Sequence, residues 1–134
     1  MQHAPHPDDP LVEALAFVYF FVAEHGDDQG LTPDERARIA ETLTRWLALG
    51  APASSVGPLD AAMVRALSQV KGMSDEATLT ALHKHTRTIR TRLTSDDHRK
   101  AVLYDMASVS RADGVITPGE RELVTLVQRL LLGA

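Results

Sequence analysis

Two short stretches of this chain decide its fold: residues 28–36 read DQGLTPDER, and residues 113–121 read DGVITPGER. In each stretch a Thr-Pro pair is followed by a Glu at the third helical position, which is the pattern of a capping box. The Thr hydroxyl accepts from the backbone N–H of the Glu, and the Glu carboxylate accepts from the backbone N–H of the Thr. Both stretches therefore predict the start of a helix, at Pro33 and at Pro118.

The two stretches belong to a longer internal repeat with an offset of 85 residues. The identical pairs are Ala16 and Ala101, Tyr19 and Tyr104, Asp28 and Asp113, Thr32 and Thr117, Pro33 and Pro118, Glu35 and Glu120, and Arg36 and Arg121. Apolar residues also align: Leu31 with Ile116, Ile39 with Val124, and Leu47 with Leu132, which is a further identical pair. Because the spacing from Tyr to Asp to Glu is the same in both copies, we interpret the pattern as a duplicated helical hairpin.

Helix start and stop signals fill the rest of the chain, and no run of alternating residues is long enough to predict a strand. We expect helices that start near Pro10, Thr32, Pro58, Ser74, Ser95 and Thr117. The predicted class is all-α: a compact bundle of about six helices with two pseudo-symmetric hairpins, completed by the third and fourth helices. Residues 51–58, rich in Ala, Ser, Gly and Pro, predict a linker.

Hydrophobic residues cover most of the first predicted helix, so this helix should be central. They are Leu11, Leu15, Phe17, Val18, Phe20, Phe21 and Val22. This run contains Glu13 and is shorter than the roughly 20 residues of a membrane-spanning helix. We also expect Tyr19, Tyr104 and Trp46 in the core. The fourth helix should bury one stripe, formed by Leu79, Leu82, Thr86, Ile89 and Leu93.

Composition limits the classes of protein to consider. With 134 residues and 44% hydrophobic content, we expect residues 1–134 to form a single helical domain, with residues 1–8 as a disordered tail. The chain has no Cys, which excludes disulfides, Cys-ligated zinc and a Cys nucleophile. Since no Lys or Arg precedes Arg36, a secretory signal is not indicated, and we expect a cytoplasmic protein.

Charge is unevenly distributed along the chain. Residues 1–35 carry eight carboxylates and no Lys or Arg, whereas residues 79–94 carry Lys84, Arg87, Arg90 and Arg92 and no carboxylate. Such an asymmetry orients partners and attracts them over a distance, but it does not specify a fold.

The segment Ala112-Asp113-Gly114-Val115-Ile116, followed by Glu120, resembles the acidic turn of the TerB-like (tellurite resistance) family. The first copy is similar but has Gln29 where the family turn has Gly. The resemblance covers the two hairpins, about half the chain. It implies an all-helical fold associated with tellurite and other stress responses, acidic residues proposed to bind metal, and no established catalytic activity. The metal-ligand candidates it implies are Asp28, Glu35, Asp113 and Glu120, with a divalent cation such as calcium.

Physical chemistry leaves two interpretations of these acidic residues open. Calcium requires six to eight oxygen ligands, so two carboxylates from one turn are too few, and both turns or water must contribute. A tight EF-hand site is disfavoured, because its first and third positions would be Val109 and Arg111, neither of which can ligate calcium. In the alternative, Glu35 and Glu120 are helix caps only, and Asp113-Gly114 is a helix stop.

Other site types are less favoured. His83 and His85 are two residues apart and point to different helix faces, and no phosphate loop, nucleophile elbow or triad is present, so we expect no enzyme. We expect a protein partner. The basic fourth helix leaves open binding to phosphate, nucleic acid or an anionic membrane surface, of which nucleic acid is disfavoured by the 4% aromatic content. The sequence indicates no oligomeric state.

Overall fold

The computed structural model describes residues 10–25, 32–48, 56–111 and 118–132, and within these ranges it is helical with no strand. The helices are α1 (Pro10–His25), α2 (Pro33–Ala48), α3 (Val56–Gly72), α4 (Asp75–Arg92), α5 (Asp96–Ser110) and α6 (Pro118–Leu132). The predicted all-α class is confirmed, and each helix starts within two residues of its predicted position. The predicted tail, residues 1–8, and most of the predicted linker lie outside the described residues.

Helix α1 is the centre of the bundle. It packs against all five other helices, and every residue from Ala14 to Ala23 is buried. This burial confirms the prediction drawn from its nearly continuous apolar surface, because a helix without a polar face needs partners all round.

The internal repeat is visible in the positions of the helices. Shifted by 85 residues, the bounds of α1 and α2 become 95–110 and 118–133, and the second hairpin occupies 96–110 and 118–132. The packing repeats as well, since α1 contacts α2 and α6 while α5 contacts α6 and α2. The two hairpins are therefore pseudo-symmetric, as predicted.

Side-chain hydrogen bonds cap both ends of α4. Ser74 is its N-cap, with a side chain that accepts from the backbone N–H of Ala77 at 3.2 Å. At the other end, Arg99 of α5 donates from Nε to the carbonyl of Leu93 at 2.7 Å and from its guanidinium to the carbonyl of Arg90 at 2.9 Å. These bonds satisfy carbonyls at the end of α4 that have no partner within the helix.

Two predictions about the core are wrong. Tyr104 is 74% exposed, although its repeat partner Tyr19 is fully buried. The reason is packing: α3 and α4 cover α1, whereas α5 packs against α1, α2 and α6. Leu79 is 48% exposed, because the buried stripe of α4 starts at Thr78 and continues through Leu82, with His85 beside Thr86.

Candidate functional site

The start of α2 is a reciprocal capping box. The backbone N–H of Thr32 donates to Oε1 of Glu35 at 3.0 Å, and the backbone N–H of Glu35 donates to the Thr32 hydroxyl at 3.1 Å. The carboxylate of Glu35 is fully buried at this helix N-terminus, where the helix dipole favours negative charge. The predicted capping role of Glu35 is therefore confirmed.

Glu120 occupies the equivalent position in the first turn of α6 and is also fully buried. Thr117, the repeat equivalent of Thr32, lies outside the described residues, as do Asp28 and Asp113. The structure thus places Glu35 and Glu120 at matching buried helix starts and leaves the two Asp predictions without a test. Within the described ranges, no group of three or more His, Asp or Glu side chains is positioned to hold a metal ion.

A buried polar cluster joins α1, α2 and α5. Asp105 of α5 accepts at Oδ2 from the indole Nε1–H of Trp46 at 2.9 Å and from the hydroxyl of Tyr19 at 3.3 Å. The same indole N–H lies 3.2 Å from the Tyr19 oxygen. Oδ1 of Asp105 accepts from the guanidinium of Arg45 at 2.8 Å. A carboxylate in a helical core is therefore held by three donors from two other helices, as a buried charge requires.

The environment of this cluster favours the protonated form of the Tyr19 hydroxyl. Burial, followed by the nearby negative charge of Asp105, raises the pKa of Tyr19 well above its ordinary value. Tyr19 consequently remains protonated and continues to donate its hydroxyl at any physiological pH. The predicted core positions of Tyr19 and Trp46 are confirmed.

A pocket of about 300 Å³ opens directly over the cluster. It is lined by Arg45, Trp46, His98, Ala101, Tyr104 and Asp105. The ring of His98 meets the indole of Trp46 edge to face, at 6.5 Å between centroids. The side chain of Arg45 is 62% exposed and that of Asp105 only 6%. Aromatic rings thus form the walls, the guanidinium lies at the rim, and the carboxylate lies at the base.

Asp105 and Arg45 are absent from the residues that the sequence pattern singles out, although a signal exists for one of them. Asp105 lies between Val102, Met106 and Val109 on the buried stripe of α5. A single carboxylate on an apolar stripe indicates a buried charge that needs donors. The partners on α1 and α2 are distant in sequence, and only the folded chain identifies them.

The basic face predicted for the fourth helix is present on α4. Lys84, Arg87, Arg90 and Arg92 are all exposed, and so is His83. His85, in contrast, is buried and packs on the ring of Phe17 at 4.5 Å between centroids. The two histidines lie on different faces of α4, as predicted, and they do not form a common site.

Burial, together with the positive charge of neighbouring Lys84, lowers the pKa of His85, and the negative charge of Glu13 opposes this shift. His85 is therefore a neutral packing residue at pH 7.

A family model described as "Tellurite resistance protein TerB" matches residues 13–132. The chain belongs to the TerB family. The match extends over α1 to α6, so it confirms the resemblance stated from the acidic turns and enlarges it from about half of the chain to nearly all of it. Neither curated proteins nor solved structures gave a significant match.

The TerB match includes the two helix starts with a buried Glu, the cluster around Asp105 and the basic helix α4. No helix in the described part of this TerB chain is long and apolar enough to cross a membrane.

Proposed function

We propose that this TerB domain is a non-catalytic cytoplasmic binding module that responds to a divalent cation through its two acidic helix starts, in tellurite or general stress response. The observation that carries the proposal is the matched burial of Glu35 and Glu120 at the first turns of α2 and α6. Burying a carboxylate is unfavourable unless hydrogen bonds, a countercharge or a metal compensates it. Its occurrence in both copies, after Asp28 and Asp113, supports a shared role.

Capping and cation binding are compatible at these positions. An ionised carboxylate offers about four acceptor sites, so a capping bond such as the one from the Thr32 N–H to Glu35 does not by itself prevent a contact to a cation. A cation that also recruits Asp28 or Asp113 would stabilise the turn before the helix. Calcium would need further oxygens from the backbone or from water.

Thermal unfolding with added calcium or magnesium tests this proposal. A cation that binds only the folded chain raises the midpoint, with a gain that grows as the logarithm of its concentration. Glu35→Gln and Glu120→Gln keep an amide oxygen for capping, so they should fold normally and lose the cation response. Asp34→Asn and Glu122→Gln are matched controls, because these carboxylates lie on α2 and α6 but are exposed.

A midpoint that no divalent cation raises contradicts the proposal. So does a response that survives in the double variant Glu35→Gln with Glu120→Gln. The role in stress is tested separately, by comparing growth on potassium tellurite of a strain lacking the gene with one that expresses the parent or the double variant.

The exposed basic face of α4 supports a second candidate: a protein-binding module without metal. Lys84, Arg87 and Arg90 lie on one exposed surface, which favours an acidic partner protein. In an affinity capture from the native host, Lys84→Glu with Arg87→Glu should release the partner, while Arg65→Glu on α3 retains it. Binding of the parent to duplex DNA, to RNA or to anionic vesicles, but to no protein, would contradict this second candidate.

A further inference from the structure

We propose that the pocket between α2 and α5 binds a small aromatic carboxylate, with its ring between the aromatic walls and its carboxylate on Arg45. This site lies on the α2–α5 face and involves neither Glu35 nor Glu120, so it stands independently of the cation proposal.

The first step is the shape and lining of the pocket. Its volume of about 300 Å³ is at the small end of the roughly 300–1,000 Å³ found for ligand sites, which suits a single ring with a short side chain. Trp46, His98 and Tyr104 surround this space. Trp46 and His98 already adopt the edge-to-face geometry that aromatic rings prefer, and a flat ligand extends that arrangement.

The second step is the balance of donors and acceptors. Both carboxylate oxygens of Asp105 at the base already accept hydrogen bonds. One accepts from Trp46 and Tyr19, and the other accepts from Arg45. At the rim, the Arg45 guanidinium carries five N–H groups and no acceptor, and the Tyr104 hydroxyl can donate as well as accept. A ligand that brings an acceptor is therefore complementary, whereas a cation would have to displace Arg45 from Asp105.

The third step is preorganisation. Asp105 holds Arg45 through a charge-assisted bond of 2.8 Å, so the guanidinium is fixed at one edge while its side chain remains 62% exposed. Arginine can bind a second carboxylate through its remaining N–H groups. Asp105 acts here as a positioning residue, and Arg45 and Tyr104 contact the ligand.

Trp46 provides a direct signal, since it is the only tryptophan of the chain and lines the pocket. We would titrate 3-phenylpropionate at constant ionic strength and follow Trp46 fluorescence. The uncharged 3-phenylpropionamide and the cationic 3-phenylpropylamine have the same ring and serve as matched probes. The expected order is the carboxylate first, with the amide weaker by about tenfold, as expected for loss of a charge-assisted hydrogen bond, and the amine weakest.

Two variants localise the binding, and one serves as a control. Arg45→Gln should weaken binding of the carboxylate by about tenfold, so that its affinity becomes close to that of the amide. Tyr104→Ala removes one wall and should weaken both probes, while its high exposure leaves the fold intact. Leu79→Ala removes another exposed apolar side chain, on α4 and outside the pocket, and should change neither affinity.

The proposal is overturned by any of three results: no change in Trp46 fluorescence with 3-phenylpropionate, an amide or amine that binds as tightly as the carboxylate, or unchanged carboxylate affinity in both pocket variants. Folding of each variant is verified by far-UV circular dichroism. If Arg45→Gln unfolds, Tyr104→Ala still decides between pocket binding and binding elsewhere.

Discussion

Replacing Asp105 by Ala should destabilise the fold far more than removing any exposed carboxylate. The change deletes the acceptor of Tyr19, Trp46 and Arg45. The Tyr19 hydroxyl is fully buried, and leaving such a group without its acceptor costs about 1–3 kcal/mol. Trp46 suffers less, because its N–H also lies 3.2 Å from the Tyr19 oxygen.

The ion pair adds only a small part of the effect. The Arg45 side chain is 62% exposed, so its loss of Asp105 costs roughly 0–1 kcal/mol after solvent screening. The sum for Asp105→Ala is roughly 1–4 kcal/mol. Asp105→Asn retains one acceptor oxygen and should cost roughly half of that.

Urea unfolding followed by far-UV circular dichroism measures these differences without relying on Trp46, whose surroundings the substitution changes. Arg45→Ala separates the ion pair from the buried hydrogen bonds, and Glu122→Ala provides an exposed carboxylate as control. The reasoning is refuted if the free energy of unfolding of Asp105→Ala lies within about 0.5 kcal/mol of the parent's, which is the range of ordinary surface substitutions.

Three further predictions concern other parts of the bundle. Thr32→Ala removes the hydroxyl cap of α2 and should cost about 1 kcal/mol in urea unfolding, whereas Thr32→Ser should restore most of it; equal losses would argue against the cap. Because the pKa of His85 is lowered by burial, the unfolded chain takes up a proton near pH 6.5 before the folded chain does, so stability should fall as pH drops below about 6.5. His85→Leu should lose this part of the difference in unfolding free energy between pH 7 and pH 5, and the exposed His83→Leu should keep it; a His85→Leu variant with the parent's pH dependence contradicts the assignment. Tyr19→Ala should cost about 3–5 kcal/mol and its repeat partner Tyr104→Ala less than about 0.5 kcal/mol, a contrast that equal losses would disprove.

The helices were predictable because their signals are local. Thr32 with Glu35 specifies a capping box within four residues, and Ser74 caps α4 over the same distance with a single bond from the Ala77 N–H. The central position of α1 was also predictable, since its own apolar surface demands it. The start signals of α5 and α6 are local as well, and both helices begin within one residue of the predicted Ser95 and Thr117.

The candidate site was much less predictable, because it depends on which helices meet. Symmetry suggested equal environments for Tyr19 and Tyr104, yet coverage of α1 by α3 and α4 buries one and leaves the other exposed. The cluster around Asp105 joins residues 59 and 86 positions apart, a separation that no periodic pattern reports. The roles of Asp28 and Asp113 stay predictions, since they lie outside the described residues.

The central position of α1 has a consequence for the order in which this chain acquires structure at the ribosome. Among the six described helices, the most apolar one is synthesised before the five that cover it, and α6, which also contacts it, is the last of the six. At usual rates of translation, roughly 5–20 s pass between the two. During that interval the phenylalanines of α1 are available to chaperones and to other nascent chains. A polypeptide truncated before α6 would therefore be aggregation-prone and protease-sensitive, and it would not form a smaller folded domain.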